Sequence, residues 1–132
     1  MSFTFINPAS LGAPRGYANG VLTKAGGRLL FIAGQVGWDK QHKIVSPDFV
    51  EQFDRALENL LTVVTAAGGK PTQIARLVVY VTDKNEYRAR TREVGERYRI
   101  RMGLHFPAIV LVEVKDLLDD EAKVEIEGVA VL

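Results

Sequence analysis

Apolar residues recur at helical spacing in the segment that follows Ser46. The residues that would share one face are Phe49, Phe53, Leu57, Leu60 and Val64. Ser46 can cap the free N–H groups of a helix start, Pro47 has no N–H to lose there, and Asp48 suits the positive end of the helix dipole. Gly68-Gly69 and Pro71 would end the helix. The pattern predicts an amphipathic helix that packs through a broad apolar face.

A second helix is predicted after Asp83. Glu86 follows three residues later, as in an N-terminal capping pair, and the helical pattern continues to about Met102 before Gly103. Its apolar stripe is narrower than that of the first helix and consists of Tyr87, Val94 and Tyr98. This helix should therefore present a wide polar face to solvent.

Strand patterns surround the two helices. Arg28–Ala33 is rich in branched and aromatic residues, and the turn-forming Lys24-Ala25-Gly26-Gly27 predicts a hairpin between it and Tyr17–Thr23, with Gly34 ending the second strand. Ile74–Val81 is too apolar for a surface strand. Ile109–Val114 is a continuous apolar run, which is typical of a central strand covered on both faces.

The last strand is predicted over Ala122–Val131. Val124, Ile126 and Gly128 alternate there with Lys123, Glu125 and Glu127. Because successive side chains of a strand point to opposite faces, Glu125 should face away from the apolar row.

The element order predicts an α+β domain with two helices packed on one face of a mixed β-sheet. The strands before and after the second helix are candidates for a parallel pair, since that helix can supply the crossover. The second face of such a sheet has no element left to cover it. An uncovered apolar face favours self-association.

Length and composition fit one domain over residues 1–132. The chain is 47% hydrophobic and 25% charged, and its net charge of +1 favours neither nucleic acid nor an anionic membrane. It contains no cysteine, which excludes disulfides and thiolate chemistry. The amino terminus has no basic leader, and no run approaches the ~20 apolar residues of a membrane span. We therefore expect a cytoplasmic protein with no membrane contact.

Several short motifs resemble landmarks of the RidA/YjgF family, also called endoribonuclease L-PSP. They lie in the family's order and cover nearly the whole chain: Asn7-Pro8, Gly16-Tyr17-Ala18-Asn19-Gly20, Ala33-Gly34-Gln35, Tyr80-Val81-Thr82-Asp83, Pro107-Ala108 and Val124-Glu125-Ile126-Glu127. The resemblance implies a chorismate-mutase-like fold. It also implies a homotrimer with inward-facing sheets and one small-molecule pocket at each subunit interface.

The resemblance also implies a chemistry and a set of site residues. Family members hydrolyse enamines and imines derived from amino acids without a cofactor, and Glu125 stands where the family's proton-handling glutamate lies. Tyr17, Ala33 and Gly34 would line the pocket, with Ala33 where a serine is usual. Ile109 stands where the family has the arginine that grips the substrate carboxylate. This departure indicates an arginine-lacking subgroup and a ligand other than 2-iminopropanoate or 2-iminobutanoate.

Two residues near these motifs can supply a replacement charge, Arg15 beside Tyr17 and His105 before Pro107. Neither His105 nor His42 has a second ligand at metal spacing, so both are expected to be structural or exposed and no metal is predicted.

Two functions remain open from the sequence. The first is a cofactor-free hydrolase of the enamine/imine deaminase type, and the second is a non-catalytic trimer that binds a small metabolite. RNA cleavage is a weaker third reading. It would need the arginines of the second helix to contact phosphates: Arg88, Arg90, Arg92, Arg97, Arg99 and Arg101. Interleaved glutamates, with Arg97 one turn after Glu93, favour intrahelical pairing on a solvated face, so nucleic acid is not an expected partner.

Overall fold

The computed structural model describes residues 3–24 and 26–132. The strands are β1 Thr4–Ile6, β2 Gly20–Leu22, β3 Leu29–Val36, β4 Ile74–Val81, β5 Ala108–Glu113 and β6 Val124–Val131. The α-helices are α1 Phe49–Ala66, α2 Lys84–Ala89 and α3 Thr91–Met102. Single 3₁₀ turns occupy Ala9–Leu11 and Pro71–Gln73.

The central sheet has the strand order β3-β6-β4-β5 in the described part of the chain. The last strand, β6, lies antiparallel between β3 and β4. β5 is at the edge of the sheet and exposes Val110 and Val112, so the prediction of a central strand covered on both faces at Ile109–Val114 is wrong. The predicted parallel pair is confirmed: β4 and β5 run parallel, with Leu77 opposite Ile109 and Tyr80 opposite Val112. The helices α2 and α3 supply the crossover that a parallel connection requires. The sheet is therefore mixed, as the element order predicts.

The predicted hairpin between Tyr17–Thr23 and Arg28–Ala33 is wrong. β2 instead pairs antiparallel with β1, and β3 pairs with β6 from Leu29 to Val36. An eight-residue strand gains a full ladder from the equally long β6, which the short β2 cannot offer. Gly34 lies within β3 at a bulge and does not end it. Ala25, part of the predicted turn, lies outside the described residues.

Helix α1 begins two residues later than a cap at Ser46 would require. Asp48 is the N-cap, and its carboxylate accepts from the backbone N–H of Glu51, while Ser46 Oγ accepts from the N–H of Asp48. The predicted end is confirmed, since Gly68 takes a positive φ of 85° and Gly69 N–H donates to the Val64 carbonyl. The apolar face is buried against the sheet as predicted: Phe49, Phe53, Leu57, Leu60 and Val64.

The predicted second helix is broken at Arg90 into α2 and α3. Arg90 leaves helical geometry (φ −122°, ψ 18°), and its guanidinium pairs with Glu93 at 2.7 Å and with Asp48 of α1 at 2.9 Å. The predicted pairing of Arg97 with Glu93 is also wrong, because Arg97 reaches Glu51 of α1 at 2.7 Å. Arg90, Arg97 and Arg101 thus link this region to α1 and its N-cap, which intrahelical spacing alone does not reveal. The predicted intrahelical pairing on a solvated face is confirmed at the exposed Arg92, which pairs with Glu96 one turn later.

The two sides of the sheet differ in what covers them. All three α-helices of the described chain pack on one side, over a core that includes Leu77, Val79 and Ile126. We call the other side the open face; it carries the alternate residues Leu29, Phe31, Arg76, Val78, Tyr80, Val110, Val112, Glu125, Glu127 and Val129. Glu125 therefore faces away from the apolar row, as predicted. Within residues 3–24 and 26–132, no helix is both long and apolar enough to cross a membrane.

Candidate functional site

Glu125 lies on the open face against the bulge of β3. The carboxylate of Glu125 occupies the space in which a Cβ on Gly34 would stand, so any larger residue at position 34 would displace the Glu125 side chain. Ala33 precedes it with an exposed side chain, and the Ala33 carbonyl accepts from Gln35 Nε2 at 3.2 Å. The structure therefore brings three predicted site residues together: Ala33, Gly34 and Glu125.

The Glu125 carboxylate makes no hydrogen bond or ion pair within the described residues, although its residue is half-buried. Its neighbour Glu127 is engaged, because the Tyr80 hydroxyl donates to it. That hydrogen bond, with burial and the charge of Glu127, raises the pKa of Tyr80, so the phenol stays protonated at neutral pH. Glu125 is thus the carboxylate on this strand that remains available to a ligand or a water molecule.

Tyr17 and Ile109 lie together at the other end of the sheet. Ala18 N–H donates to the Pro107 carbonyl at 2.9 Å, which fixes the Tyr17 segment beside the start of β5. A shallow pocket of about 290 Å³ opens there. It is lined by Tyr17, Ala18, Asn19, Arg76, Ala108, Ile109 and Val110.

Ile109 also borders a second space, on the helix-covered side of the sheet. Its side chain packs against the core beside Leu111 and lines a cleft of about 160 Å³ between α3 and the sheet. The other lining residues are Gly16, Phe53, Leu57, Leu77, Val79, Tyr87, Val94, Gly95, Tyr98, Phe106 and Ile126. Position 109, where the family resemblance implies a carboxylate-binding arginine, therefore borders a cleft whose lining side chains are all uncharged.

The two groups of predicted site residues are separate within one chain. Glu125 of β6 is level with Val112 of β5, through Tyr80 of the intervening β4. Ile109 is two strands away and three residues along, a separation of about 14 Å at usual strand spacings, and its side chain lies on the opposite side of the sheet. A single copy therefore cannot place one small molecule against both Glu125 and Ile109.

The two residues predicted as replacement charges, Arg15 and His105, are not among the lining residues of either pocket. His105 is buried, its Nε2 lies 2.7 Å from the Ile74 carbonyl oxygen, and its ring contacts the rings of Phe3 and Phe5. Arg15 is exposed and makes no ion pair within the described residues.

Arg76 is a pocket residue that the sequence reasoning missed. It lies directly opposite Ala108 on β4 and lines the shallow pocket with Tyr17. Its guanidinium has no ion-pair partner among residues 3–24 and 26–132. Alternation with the buried Leu77 was the available signal, since it places Arg76 on the face opposite the core.

Comparison with known proteins agrees with the geometry of the fold. The structure superposes on a conserved Rid-family protein of unknown function from Yersinia pestis with a TM-score of 0.87 over the full length of both chains, at 31% identity. The fold class is thus single-domain α+β with the chorismate-mutase-like topology of the YjgF structures.

Sequence comparison defines the family. The endoribonuclease L-PSP family model matches residues 8–132, and the chain belongs to this family, the RidA/YjgF proteins. A RutC family protein of Pyrococcus horikoshii is 38% identical over 105 residues, 79% of each chain. The 2-iminobutanoate/2-iminopropanoate deaminase of Salmonella typhimurium is 34% identical over 124 residues, 94% of this chain and 91% of the enzyme.

Proposed function

We propose that the protein is a cofactor-free hydrolase of the imine-deaminase type, with Glu125 as its acid and base. The observation that carries the proposal is the unpaired Glu125 carboxylate, held against Gly34 on the open face of the sheet. Membership in a family that includes 2-iminobutanoate/2-iminopropanoate deaminases supports it.

The reaction requires few protein groups. The Glu125 carboxyl protonates an enamine at carbon to give an iminium, and the resulting carboxylate takes a proton from the water that attacks the iminium carbon. Proton transfer to nitrogen then lets the C–N bond break. Overall, one imine and one water give one carbonyl compound and one ammonia, with no change in oxidation state and no external electron carrier.

We further propose that the complete site forms between copies of a homotrimer. The open face exposes large apolar side chains that an isolated subunit would leave in water: Leu29, Phe31, Val110 and Val112. In such an assembly, the Tyr17 and Ile109 edge of one copy can approach Glu125 of the next, which the distance within one chain prevents. Light scattering should give a trimer at micromolar concentration. A stable monomer would contradict both the assembly and the shared pocket.

The decisive test of the chemistry is Glu125→Gln. The amide keeps the shape of the carboxylate but cannot exchange a proton at neutral pH, so turnover of an imine or enamine substrate should fall by about 10²–10⁴-fold. The melting temperature and the assembly state should stay unchanged. Glu96→Gln, the same substitution on the exposed side of α3, is the matched control and should keep full activity.

The substrate is proposed to differ from the 2-imino acids. Ile109 cannot pair with a carboxylate, and loss of a charged partner costs about 2–5 kcal/mol, or roughly thirty-fold to several-thousand-fold in affinity. Activity on imines made from serine or threonine should therefore be absent or weak. Ile109→Arg should raise it if the rest of the pocket is competent. Rapid wild-type turnover of these imines would show that another cation, with Arg76 the first candidate, binds the carboxylate.

A non-catalytic trimer that binds a small metabolite is the second candidate function. The charge-free cleft beside Ile109 favours it, because a binding protein needs the pocket but no carboxylate grip. Full ligand affinity in Glu125→Gln, together with no turnover in either protein, would support this alternative. Ribonuclease activity has less support, because three of the arginines that would contact phosphates already form ion pairs. Arg90, Arg97 and Arg101 pair with carboxylates of α1 and its N-cap.

A further inference from the structure

The cleft beside Ile109 has the form of a small ligand site. Its floor is the buried sheet surface of Leu77, Val79 and Ile126, and its α3 wall carries Val94 and Tyr98. The volume is about 160 Å³. An apolar protein cavity of about 150 Å³ stays dry and accepts benzene or xenon, so the cleft matches one six-membered ring in size.

The chemistry of the lining selects for uncharged groups. Every side chain that lines the cleft is a hydrocarbon or a tyrosine, and no carboxylate, guanidinium, ammonium or imidazole is among them. The Tyr98 hydroxyl is already used, since it donates to the His105 carbonyl at 2.6 Å, and burial raises its pKa. An ion at the floor of this cleft would lose its hydration without gaining a partner, because the charge closest to the lining, the Arg99 guanidinium, stands at the Gly95 rim and not at the floor.

Gly95 of α3 gives a second, independent reason to regard this cleft as a ligand site. A glycine in the interior of a helix destabilises it by about 1 kcal/mol relative to alanine. Nothing in the packing requires it, because a Cβ on Gly95 would meet only Arg99 Nη1, at 3.3 Å, the end of a flexible side chain. Gly95 lines the cleft together with the exposed Gly16. The missing side chain keeps this rim of the cleft open.

We propose that this cleft binds an uncharged six-membered ring or a branched hydrocarbon group of similar size. The substrate of the hydrolase carries such a group at the point where the family's usual substrates present a carboxylate to arginine, an inference that rests on the proposed function. Ile109 is then the residue that replaces charge recognition by apolar contact. Binding of the ring itself depends on neither Glu125 nor turnover.

The test uses benzene as the probe and benzoate as its charged counterpart. Calorimetric titration and the melting temperature of the full-length protein at fixed concentration report binding, and xenon-pressurised crystals report the position. Benzene at about a hundredfold excess over its Kd should raise the melting temperature by several degrees, and xenon should occupy the cleft. Benzoate should produce no shift.

Two variants fill the cleft from opposite sides. Gly95→Leu places a side chain at the helix rim and improves helix propensity, so it should fold, and Ile109→Phe adds volume from β5. Both should lose the benzene shift and the xenon site. Ile100→Phe is the matched control, since Ile100 is exposed on the same helix, and it should keep both.

The outcomes separate this inference from the proposed function. No benzene shift and no xenon in the wild type, or binding that survives both filling variants, would overturn it even if an imine is hydrolysed. Benzoate binding more tightly than benzene, and lost in Arg76→Ala, would overturn it in favour of a carboxylate site at Arg76. Benzene binding retained in Glu125→Gln, with no turnover of any imine by the wild type, would support the cleft and reject the hydrolase.

Discussion

The helix-covered side and the open face of the sheet are built from the same strands but use different physical means. On the helix side, aliphatic residues of β3, β4 and β6 are buried beneath α1 and α3, and arginine–carboxylate pairs join these helices at the rim. On the open face, Phe31 is 73% exposed and the Glu125 carboxylate lacks a partner within the described residues. The first side stabilises the subunit, whereas the second leaves large apolar side chains and a carboxylate exposed at the surface.

The largest difference in stability should come from one large-to-small substitution on each side. Leu60→Ala removes a side chain that is 0% exposed and should lower the free energy of unfolding by about 2–5 kcal/mol. Phe31→Ala should change the unfolding of a dilute subunit by no more than about 0.5 kcal/mol but should weaken self-association. Denaturant titration and light scattering on dilution measure the two effects. An equal loss of subunit stability would mean that Phe31 is covered within its own chain.

Substitutions at two glycines near the end of β3, Gly34 and Gly37, test the same difference in stability between the two sides of the sheet. A Cβ on Gly37 would lie 2.7 Å from the Gln52 carbonyl oxygen of α1, which is backbone and cannot yield, so Gly37→Ala should cost about 1–3 kcal/mol. A Cβ on Gly34 would instead meet the end of the flexible Glu125 side chain. Gly34→Ala should therefore melt close to the wild type and lose activity, as Glu125 is displaced. The reverse ranking in thermal melts would contradict this view of the open face.

The ion pairs between α1 and α3 should give a smaller, pH-dependent effect. Hydrogen bonding to Arg101, then the charges of Arg101 and Arg97, lower the pKa of Asp54 from 3.8. Because the folded pKa lies below the unfolded one, this stabilisation is present above about pH 4 and is lost as pH falls through the folded pKa.

Asp54→Asn should lower stability near neutral pH by about 1 kcal/mol and flatten its loss in acid. Denaturant midpoints between about pH 2 and 7 measure both effects. Asp120→Asn, on an exposed loop, is the control and should follow the wild-type curve. An Asp54→Asn curve parallel to the wild type would show that these pairs contribute nothing to the acid response.

Much of the local structure could be predicted because it depends on neighbouring residues. The apolar period of α1, the stop at Gly68 and the run Ile74–Val81 are each visible in short windows, and alternation in β6 correctly placed Glu125 opposite the core. The errors concern partners distant in sequence. β3 pairs with β6, almost a hundred residues later, and the predicted second helix is interrupted at Arg90, which pairs with Asp48 at the N-cap of α1.

The sequence by itself determined the element types, the side of the sheet on which Glu125 lies and the family, because residue alternation and short motifs fix them. Only the tertiary structure decided which predicted site residues meet. Strand order separates Glu125 and Gly34 from Tyr17 and Ile109, and β4 brings Arg76 to the pocket edge. Distances across a sheet follow from strand order and register, which depend on long-range pairing that no local pattern encodes.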